Sequence, residues 1–383
     1  MSKSTVEELK PAKARRFVFR KEQLSAKTIL KIAVVMVAIL LTVFQLPVAF
    51  VDRVYANGFY PRLQSFVTPV TNLLPFAIYD LLIVAVIFGA PAWWMVRLVK
   101  AGKGRRLKTA ARLLINTMVF AAVIFLLFQL LWGFNYARQP LSQKLDYHDD
   151  RINKDAALRL ARLCIEQANA EVDKAHQTAF PDDREWLRRL QPSYDALLKA
   201  LGRTSNLTLA KPKATLFDKY LESTGISGFL NPFGFETIVA RGFHPLDRAF
   251  TLAHEWGHLA GYATESEASF IGLLALLRSE DAACRYAGWL ALYSHIPLQR
   301  ILNDADEATR QALPKFSPQV EADLLAMAEE ENKRQINEQI SKAQWEMYQQ
   351  FLKANNATPN YGEVISLMMG TTFEEGWTPV FNR

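Results

Sequence analysis

Three long apolar stretches in the first third of the chain constrain its fold more than any other feature. They cover about residues 32–51, 73–96 and 113–136. A helix of about 20 apolar residues crosses the roughly 30 Å hydrocarbon core of a membrane. The sequence therefore predicts a membrane protein with three N-terminal transmembrane helices in residues 32–136, a basic segment before them in residues 1–31, and a separate domain in residues 137–383.

Basic residues orient the predicted helices. The first 31 residues carry nine Lys and Arg against three acids, and residues 97–112 carry seven against none. Because such segments stay in the cytoplasm, the N-terminus is expected there and residues 137–383 outside it, as in a multi-pass protein of the plasma membrane. Asp80, near the outer end of the second helix, is then expected at the membrane interface.

The net charge of +7 also follows from this topology. Residues 137–383 carry 27 basic against 33 acidic residues, so the excess of positive charge lies in the cytoplasmic segments. Such segments suit anionic headgroups, which makes the lipid bilayer the expected partner and excludes nucleic acid. Cys164 and Cys284 are two cysteines only, too few for a disulfide framework. Whether they pair, and the oligomeric state, stay open.

The pattern beyond the third stretch predicts a mainly helical domain with one small sheet. Residues 153–202 have apolar residues at helical spacing, whereas residues 207–241 mix β-branched, aromatic, Gly and Pro residues as short strands and turns do. Helices return from Leu246, and the last is a long charged helix around Val320 to Leu352. Glu236 and Arg241, which flank the predicted strands, are expected to pair at the surface.

The segment TLAHEWGHLAGYATESEASF, residues 251–270, contains the pattern H-E-x-x-H at His254, Glu255 and His258. Residues four apart lie on one face of a helix, so both imidazoles can bind one ion. Glu255 is rotated by about 100° from His254, which suits a carboxylate that contacts the ion's bound water. The simpler interpretation is an amphipathic helix whose histidines face solvent or a neighbouring carboxylate.

A third ligand must come from another segment, because a catalytic zinc site needs three protein ligands and an open position. Gly261 can end the helix in a left-handed conformation and turn the chain back toward the ion. Thr264 and Glu267 fit a capping box at the start of the next helix, which gives Glu267 a structural task. The sequence therefore favours Glu265 as the third ligand, with Glu267 as the alternative.

Two histidines and a glutamate form the ligand set of hydrolytic zinc sites. We expect Zn²⁺ to activate water there, with Glu255 as the general base in hydrolysis of a peptide or protein substrate. The same ligand set also describes the facial triad of non-haem iron oxygenases, in which Glu255 has no assigned task. Zinc is therefore the expected cofactor.

Two further features bear on the predicted reaction. His295, Tyr286 and Tyr293 are candidate donors to the oxyanion that forms during hydrolysis, although each is also an ordinary helix residue with a local partner. A strand with a free edge in residues 225–240 would bind an extended peptide by main-chain pairing. A purely structural hairpin is the alternative there.

Four segments of the chain resemble the bacterial membrane family DUF3810, whose members have N-terminal spans followed by an extracytoplasmic domain with a zincin-like motif. They are LLWGFNYARQPL, TGISGFLNPFGFETIVA, AHEWGHLAGYATESEASFIGLLAL and YQQFLKANNATPNYGEVISLM. The motif also resembles that of gluzincin peptidases, and this likeness implies that Glu265, which precedes x-x-A, binds the metal. Gly257 stands where the family typically has Ala, and Ser269 where it has Asn.

The expected fold is thus three transmembrane helices plus a mainly helical α+β zincin-like extracytoplasmic domain, with a small β-sheet before the motif helix. The expected function is that of a membrane-anchored zinc metallopeptidase acting on an unknown cell-envelope or membrane-proximal protein. The alternative is a catalytically inactive zinc-binding envelope scaffold or binding module.

Overall fold

The three apolar stretches form long helices with little buried surface. The computed structural model describes residues 25–44, 46–177, 179–203, 207–303, 305–334, 336–354 and 363–382. Three helices are long and apolar enough to cross a membrane, and we call them the first, second and third span: Ala26–Val43, Ile78–Lys100 and Lys103–Leu131. Few of their residues are buried inside the protein, which is compatible with helices that cross a membrane.

The helices of the first third of the chain follow one another closely. They are α1 (Ala26–Val43), α2 (Val48–Phe50), a π-helix (Val51–Phe59), α3 (Tyr60–Thr71), α4 (Ile78–Val84), a second π-helix (Ala85–Gly89), α5 (Ala90–Lys100), a 3-10 turn (Lys103–Arg105) and α6 (Arg106–Leu131).

The rest of the chain is also mostly helical, as predicted. Its helices up to the motif are the 3-10 turn Gly133–Ala137, α7 (Leu141–Lys144), the 3-10 turn Asp149–Arg151, α8 (Lys154–Ala175), α9 (Asp183–Ala200) and α10 (Asp218–Thr224). The strands β1 (Gly228–Asn231) and β2 (Glu236–Val239) come next. The motif helix α11 (Pro245–Leu259) is followed by α12 (Glu265–Leu277), α13 (Ala282–His295), α14 (Leu298–Asn303), α15 (Glu307–Gln311), α16 (Pro318–Lys333), α17 (Glu338–Ala354), α18 (Glu363–Gly370), β3 (Phe373–Glu374), the 3-10 turn Glu375–Trp377 and β4 (Thr378–Pro379).

The ends of the spans differ from the predicted ones. The second span begins at Ile78 rather than near residue 73, because Pro75 cannot continue a helix and restricts the residue before it. The third ends at Leu131 rather than near residue 136, because the backbone of Trp132 leaves the helical region with φ −152°. The first already ends at Val43.

The prediction of one long charged helix around Val320 to Leu352 is wrong. This segment is divided into α16 and α17, and Arg334 has an extended backbone at the end of α16. The side chain of Asn337 accepts a hydrogen bond of 3.2 Å from the amide of Ile340. A polar side chain that satisfies a first-turn amide is a helix start, so the chain can change direction here.

The segment between the first and second spans, expected to be a short connection, is helical and packs into the domain. Val51, Tyr55 and Tyr60 are buried in the same apolar core as the motif helix α11. The Tyr60 hydroxyl donates a hydrogen bond of 2.9 Å to the carbonyl of Leu259, the last residue of α11. This segment therefore supports the C-terminal end of the motif helix.

The small sheet predicted before the motif helix is present as β1 and β2. These strands pair antiparallel, with Gly228 opposite Val239, and Lys213 adds a parallel bridge to Ile238 on the other side of β2. Among the described residues, β1 pairs with β2 alone. Its outer edge therefore lacks a partner strand, although the Leu230 amide on this edge bonds to Glu255, and such an edge is able to bind another extended chain. The strands β3 and β4 form a second two-stranded sheet.

The second span is attached to the sheet through Glu236, which is 1% exposed. Its carboxylate accepts hydrogen bonds from the amides of Ile78 (2.9 Å) and Tyr79 (3.2 Å) and from the ammonium group of Lys213 (2.7 Å). The predicted surface pair between Glu236 and Arg241 is wrong, because a buried carboxylate needs a buried counter-charge and Lys213 supplies it.

Asp80 lies in the first turn of the second span and contacts the domain. Its carboxylate accepts hydrogen bonds from the Thr215 hydroxyl and from the Leu216 amide at 3.0 Å. A carboxylate is also favoured at this end of a helix by the helix dipole. Asp80 therefore lies where the span meets the domain rather than in the middle of the span.

The core of the domain is built on the close packing of α11 with α12 and of α8 with α13. A Cβ atom added to Gly272 of α12 would lie 2.9 Å from the backbone of Ala253 and His254 in α11. The two helices can approach this closely because glycine has no side chain. Cys164 of α8 and Cys284 of α13 are both buried, and both are free thiols.

Candidate metal centre

The two motif histidines lie side by side near the end of α11. The centroids of the His254 and His258 rings are 4.7 Å apart, and the ring planes are nearly perpendicular. His258 is buried, and His254 is partly buried. Since the residues are four apart on one helix, both Nε2 atoms can face the same point.

The chain reverses direction directly after the motif. Gly261 has a φ of +93°, in the left-handed region that glycine adopts without strain. The amide of Tyr262 donates to the carbonyl of Gly257 at 3.2 Å, which closes the end of α11. Thr264 then caps α12, and its hydroxyl accepts from the amide of Glu267 at 3.4 Å. This turn brings the first residue of α12, Glu265, back over the histidines.

Glu265 is brought together with both histidines. Its Oε2 lies 3.1 Å from His254 Nε2, and its Oε1 lies 3.6 Å from His258 Nε2. One ligand atom of each of the three side chains lies within 4.8 Å of the other two. Ligands of a tetrahedral zinc ion are about 3.4 Å apart, given zinc–ligand bonds of about 2.0–2.1 Å. The separations therefore fit a single ion of this size.

Glu267, the alternative ligand, has a different partner. Its Oε1 accepts a hydrogen bond of 2.7 Å from the amide of Leu141 at the start of α7. Its own amide is the one that the Thr264 hydroxyl caps. Only the Thr264 half of the predicted capping box is therefore present, because the Glu267 carboxylate bonds to the Leu141 amide and connects α12 to the segment that follows the third span.

The other ring nitrogen of each histidine is held by the protein. His258 Nδ1 donates to the carbonyl of Tyr262 at 2.8 Å, because a carbonyl can only accept. His254 Nδ1 lies 3.0 Å from the hydroxyl oxygen of Ser269. Such bonds fix the tautomer and the ring orientation of metal-binding histidines. Ser269, which stands where the resembled family has Asn, thus supplies the polar contact at this position.

The charges of the three side chains shift one another's pKa values. Burial opposes protonation of His258, but the negative charge of the nearby Glu265 outweighs burial and raises the pKa of His258 to about 9. Burial alone would raise the pKa of Glu265, but the charges of the two nearby histidines hold this pKa well below its usual range. A cation at this point would replace the proton that His258 carries.

Glu255 is buried beside the cluster, with 4% of its surface exposed. The amide of Leu230 in β1 hydrogen bonds to its carboxylate, while its Oε2 has no partner among the described residues. Burial raises the pKa of Glu255 above its ordinary value, although the two motif histidines oppose this. A buried carboxylate with an unsatisfied oxygen fits a group that exchanges protons with a bound water.

Tyr348 of α17 also reaches the centre, and the sequence interpretation missed it. Its hydroxyl donates a hydrogen bond to Oε1 of Glu265. Tyr136 lies near the same carboxylate, whose charge, after burial, raises the pKa of Tyr136. The Trp132 ring is in edge contact with His258 at 6.0 Å. Tyr348 is the first residue of the last of the four segments that resemble the family. This resemblance was the one feature of the sequence that pointed to Tyr348.

The structure places the three predicted oxyanion donors outside this ligand cluster. Tyr286 donates to Asp323 at 2.6 Å, and Tyr293 packs its ring on Phe316. His295 has its Nδ1 bound to the carbonyl four residues earlier, at 2.7 Å. Its ring lies against Phe250, which also contacts His254, so His295 shares an aromatic neighbour with the cluster.

Comparison with known proteins identifies a family but no activity. No curated protein and no solved structure matches the chain. A family model described as "Protein of unknown function (DUF3810)" matches residues 55–369, which include the second and third spans and the candidate metal centre. Because this match covers most of the sequence, the chain belongs to the DUF3810 family.

Proposed function

We propose that this protein is a membrane-anchored zinc metallopeptidase that cleaves a cell-envelope or membrane-proximal protein outside the cytoplasm. His254, His258 and Glu265 would hold the zinc ion, and Glu255 would be the general base. The observation that carries the proposal is the unsatisfied Oε2 atom of Glu255 beside three converging ligand side chains. A buried polar atom without a partner is costly, and a water molecule at the metal would satisfy it.

The residues of the chain divide the reaction between them. When bound, zinc lowers the pKa of a coordinated water and polarises the substrate carbonyl. Glu255 would accept one proton from a water molecule at the site, whose oxygen bonds to the carbonyl carbon. It would then give that proton to the amine nitrogen as the C–N bond breaks. A raised pKa suits the first transfer, because burial makes the Glu255 carboxylate a stronger base than an exposed one.

Tyr348 is our preferred donor to the oxyanion, ahead of His295, Tyr286 and Tyr293. Its hydroxyl already contacts one of the three ligand side chains. A small rotation of the side chain would direct the hydroxyl toward a carbonyl oxygen at the metal. One well-placed donor of this kind contributes about 2.7–4 kcal/mol to transition-state stabilisation in acyl-transfer enzymes.

The free edge of β1 supports a peptide as the substrate. The strand lies directly over α11, since a Cβ atom on Gly228 would be 3.4 Å from Cγ of Glu255. Leu230 of the same strand hydrogen bonds to the Glu255 carboxylate. An extended peptide that pairs with β1 would therefore pass the general base with its backbone in a fixed orientation.

A catalytically inactive zinc-binding scaffold or binding module is the second candidate, and the Tyr348 contact favours it. Structural zinc sites are closed by four protein ligands. The Tyr348 hydroxyl, which donates a hydrogen bond to Glu265, would supply a fourth oxygen in such a site. In this alternative, however, the unsatisfied carboxylate of Glu255 has no task.

The test compares Glu255→Gln with the unchanged protein in lipid nanodiscs. Both should contain about one zinc ion per chain by elemental mass spectrometry, because Glu255 is not a ligand. Only the unchanged protein should create new N-termini in a library of envelope-protein peptides, with a loss of at least about 10²-fold in Glu255→Gln.

A matched control is Glu329→Gln, which removes one exposed glutamate from α16. It should retain both zinc and cleavage. Equal cleavage by the Glu255→Gln protein would overturn the mechanism. Zinc without any cleavage by the unchanged protein would favour the scaffold, and a protein that binds no zinc would overturn both candidates.

A further inference from the structure

The helix α17 exposes a stripe of large apolar side chains next to its buried side. Tyr348 and Leu352 face the protein, and Leu352 is 1% exposed. Ile340 and Met347 are seven residues apart, so they lie on one side of the helix, where 41% and 66% of their surfaces are exposed. Phe351 extends the same stripe by one turn. Water is a poor environment for a continuous stripe of this kind.

Exposed apolar residues are concentrated in this part of the domain. Beyond the third span, nine large apolar side chains are exposed among the described residues: Leu216, Tyr220, Leu325, Ile336, Ile340, Trp345, Met347, Phe351 and Phe381. Seven of them belong to α10, to α17 or to the residues just before these helices. These seven residues, here called the patch, are therefore a local feature and not a general property of the surface.

One end of the stripe meets the third span. The ring of Phe351 is 5.9 Å from that of Phe128, in the last turn of this span, and 5.8 Å from that of Tyr136. Leu127 and Leu130 lie before and after Phe128 in the span, and they are 41% and 46% exposed. The apolar stripe is thus continuous with a surface that lipid would cover.

The other end of the patch meets the second span. The hydroxyl of Ser341 in α17 donates to the carbonyl of Thr224 in α10 at 3.2 Å. Just before α10, Phe217 is in edge contact with Tyr79 of the second span at 6.4 Å. Leu216, 78% exposed, donates its amide to Asp80 in the first turn of that span. The α10–α17 pair therefore connects the domain ends of two spans.

We propose that α17 is a lipid-binding helix that lies along the membrane surface, with Ile340, Met347 and Phe351 in the boundary between headgroups and acyl chains. A helix with one apolar and one polar side binds there, with its apolar face about 5–10 Å into the boundary. The opposite side of α17 carries Lys342 and Glu346, as this placement requires. Continuity with both span ends favours lipid over a protein partner.

The inference goes beyond the proposed function and does not depend on it. It nevertheless concerns the candidate metal centre, because Tyr348 of α17 donates to Glu265. Lipid that holds α17 in place would also hold this hydroxyl at the ligand. The bilayer would then be a structural part of the site rather than only an anchor.

The test measures the membrane depth of Met347 directly. A Met347→Cys variant of the full chain is labelled with an environment-sensitive fluorophore and placed in nanodiscs whose lipids carry a nitroxide near the ester groups or near the acyl end. The native thiols should label slowly, because burial raises the pKa of both Cys164 and Cys284. We expect the shallow nitroxide to quench this label at least about twofold more than the deep one.

Two positions calibrate the measurement. Ile124→Cys, in the third span, should be quenched more strongly by the deep nitroxide. Leu325→Cys, on α16, is the matched control, because its side chain is 61% exposed and α16 packs against α8. Neither nitroxide should quench it. Quenching at Met347 no stronger than at Leu325, with Ile124 still quenched, would overturn the inference. The inference would also be overturned if emission from the label at Met347 changed with protein concentration and not with lipid, because this would indicate contact with a second copy of the chain.

Discussion

Each imidazole of the candidate centre is held at Nδ1, by the Tyr262 carbonyl or the Ser269 hydroxyl, so that Nε2 is directed at the metal position. The local part of this arrangement was predictable, because helical spacing and a glycine turn place His254, His258 and Glu265 within twelve residues. Tyr348 was not predictable from spacing. It is 83 residues from Glu265, and only tertiary packing brings them together.

At the residue scale, zinc binding should release a proton from His258. The pKa of this imidazole is raised to about 9 by Glu265, so it is protonated at neutral pH and must lose its proton to bind metal. Titration calorimetry at pH 7 in buffers of different protonation enthalpy should show about one proton released per zinc ion. The zinc affinity should fall as the pH decreases below about 9, since the proton then competes with the ion.

Two glutamate variants provide the control. Glu265→Ala removes the charge that raises the pKa of His258, so both the affinity for zinc and the proton release at pH 7 should fall. Glu267→Ala should preserve both, because its carboxylate bonds to the Leu141 amide instead. A binding enthalpy that is the same in every buffer would contradict the expected charge state of His258.

At the scale of elements, the centre depends on how closely α12 crosses α11. The apolar periodicity predicted both helices, but the distance between them depends on contacts that no single helix encodes. Gly272 shows this, because a Cβ atom there would meet the α11 backbone at 2.9 Å. The division between α16 and α17 was missed for a similar reason. The amide of Asn337 donates to the carbonyl of Ser223 at 2.8 Å, a contact with a distant segment.

Gly272→Ala should therefore separate the two helices and weaken the metal centre. We expect a loss of about 1–3 kcal/mol in the free energy of unfolding, as for other overpacked cores, together with lower zinc affinity. Thermal unfolding and competition with a chelator measure the two effects. Gly89→Ala, in the second span, is the matched control, because its Cβ would meet nothing within 4 Å. Equal effects of both changes would contradict this account of the crossing.

At the scale of the whole molecule, spans and domain form one connected structure. Sequence alone predicted three apolar helices and a mostly helical domain, because length and hydropathy determine both. It did not predict that Glu236 and Asp80 would join the second span to the sheet region. Those contacts place β1, the motif helix and α17 close to the ends of two spans.

This arrangement predicts a preference for substrates that are attached to the membrane. One peptide sequence taken from the identified cleavage sites should be cleaved faster by protein in proteoliposomes when it carries a lipid anchor than when it is free. The expected ratio is about 10²-fold or more, because attachment raises the local concentration of peptide at the site.

Detergent-solubilised protein is the control for tethering, since it should cleave both peptides at similar rates. Equal rates in proteoliposomes would show that access to β1 does not depend on the membrane. This outcome would leave the peptidase mechanism itself intact.

The burial of Val51, Tyr55 and Tyr60 in the domain core has a practical consequence for anyone who wishes to work without lipid. A fragment that starts at residue 137 would lack these three side chains and the hydroxyl that binds the end of the motif helix. Its core would lose the side chains that pack beneath the turn that directs Glu265. A water-soluble version should instead retain residues 48–80, which keep the partners of Glu236 and the contacts of Asp80, and join them by a linker that replaces the rest of the second span and the third span.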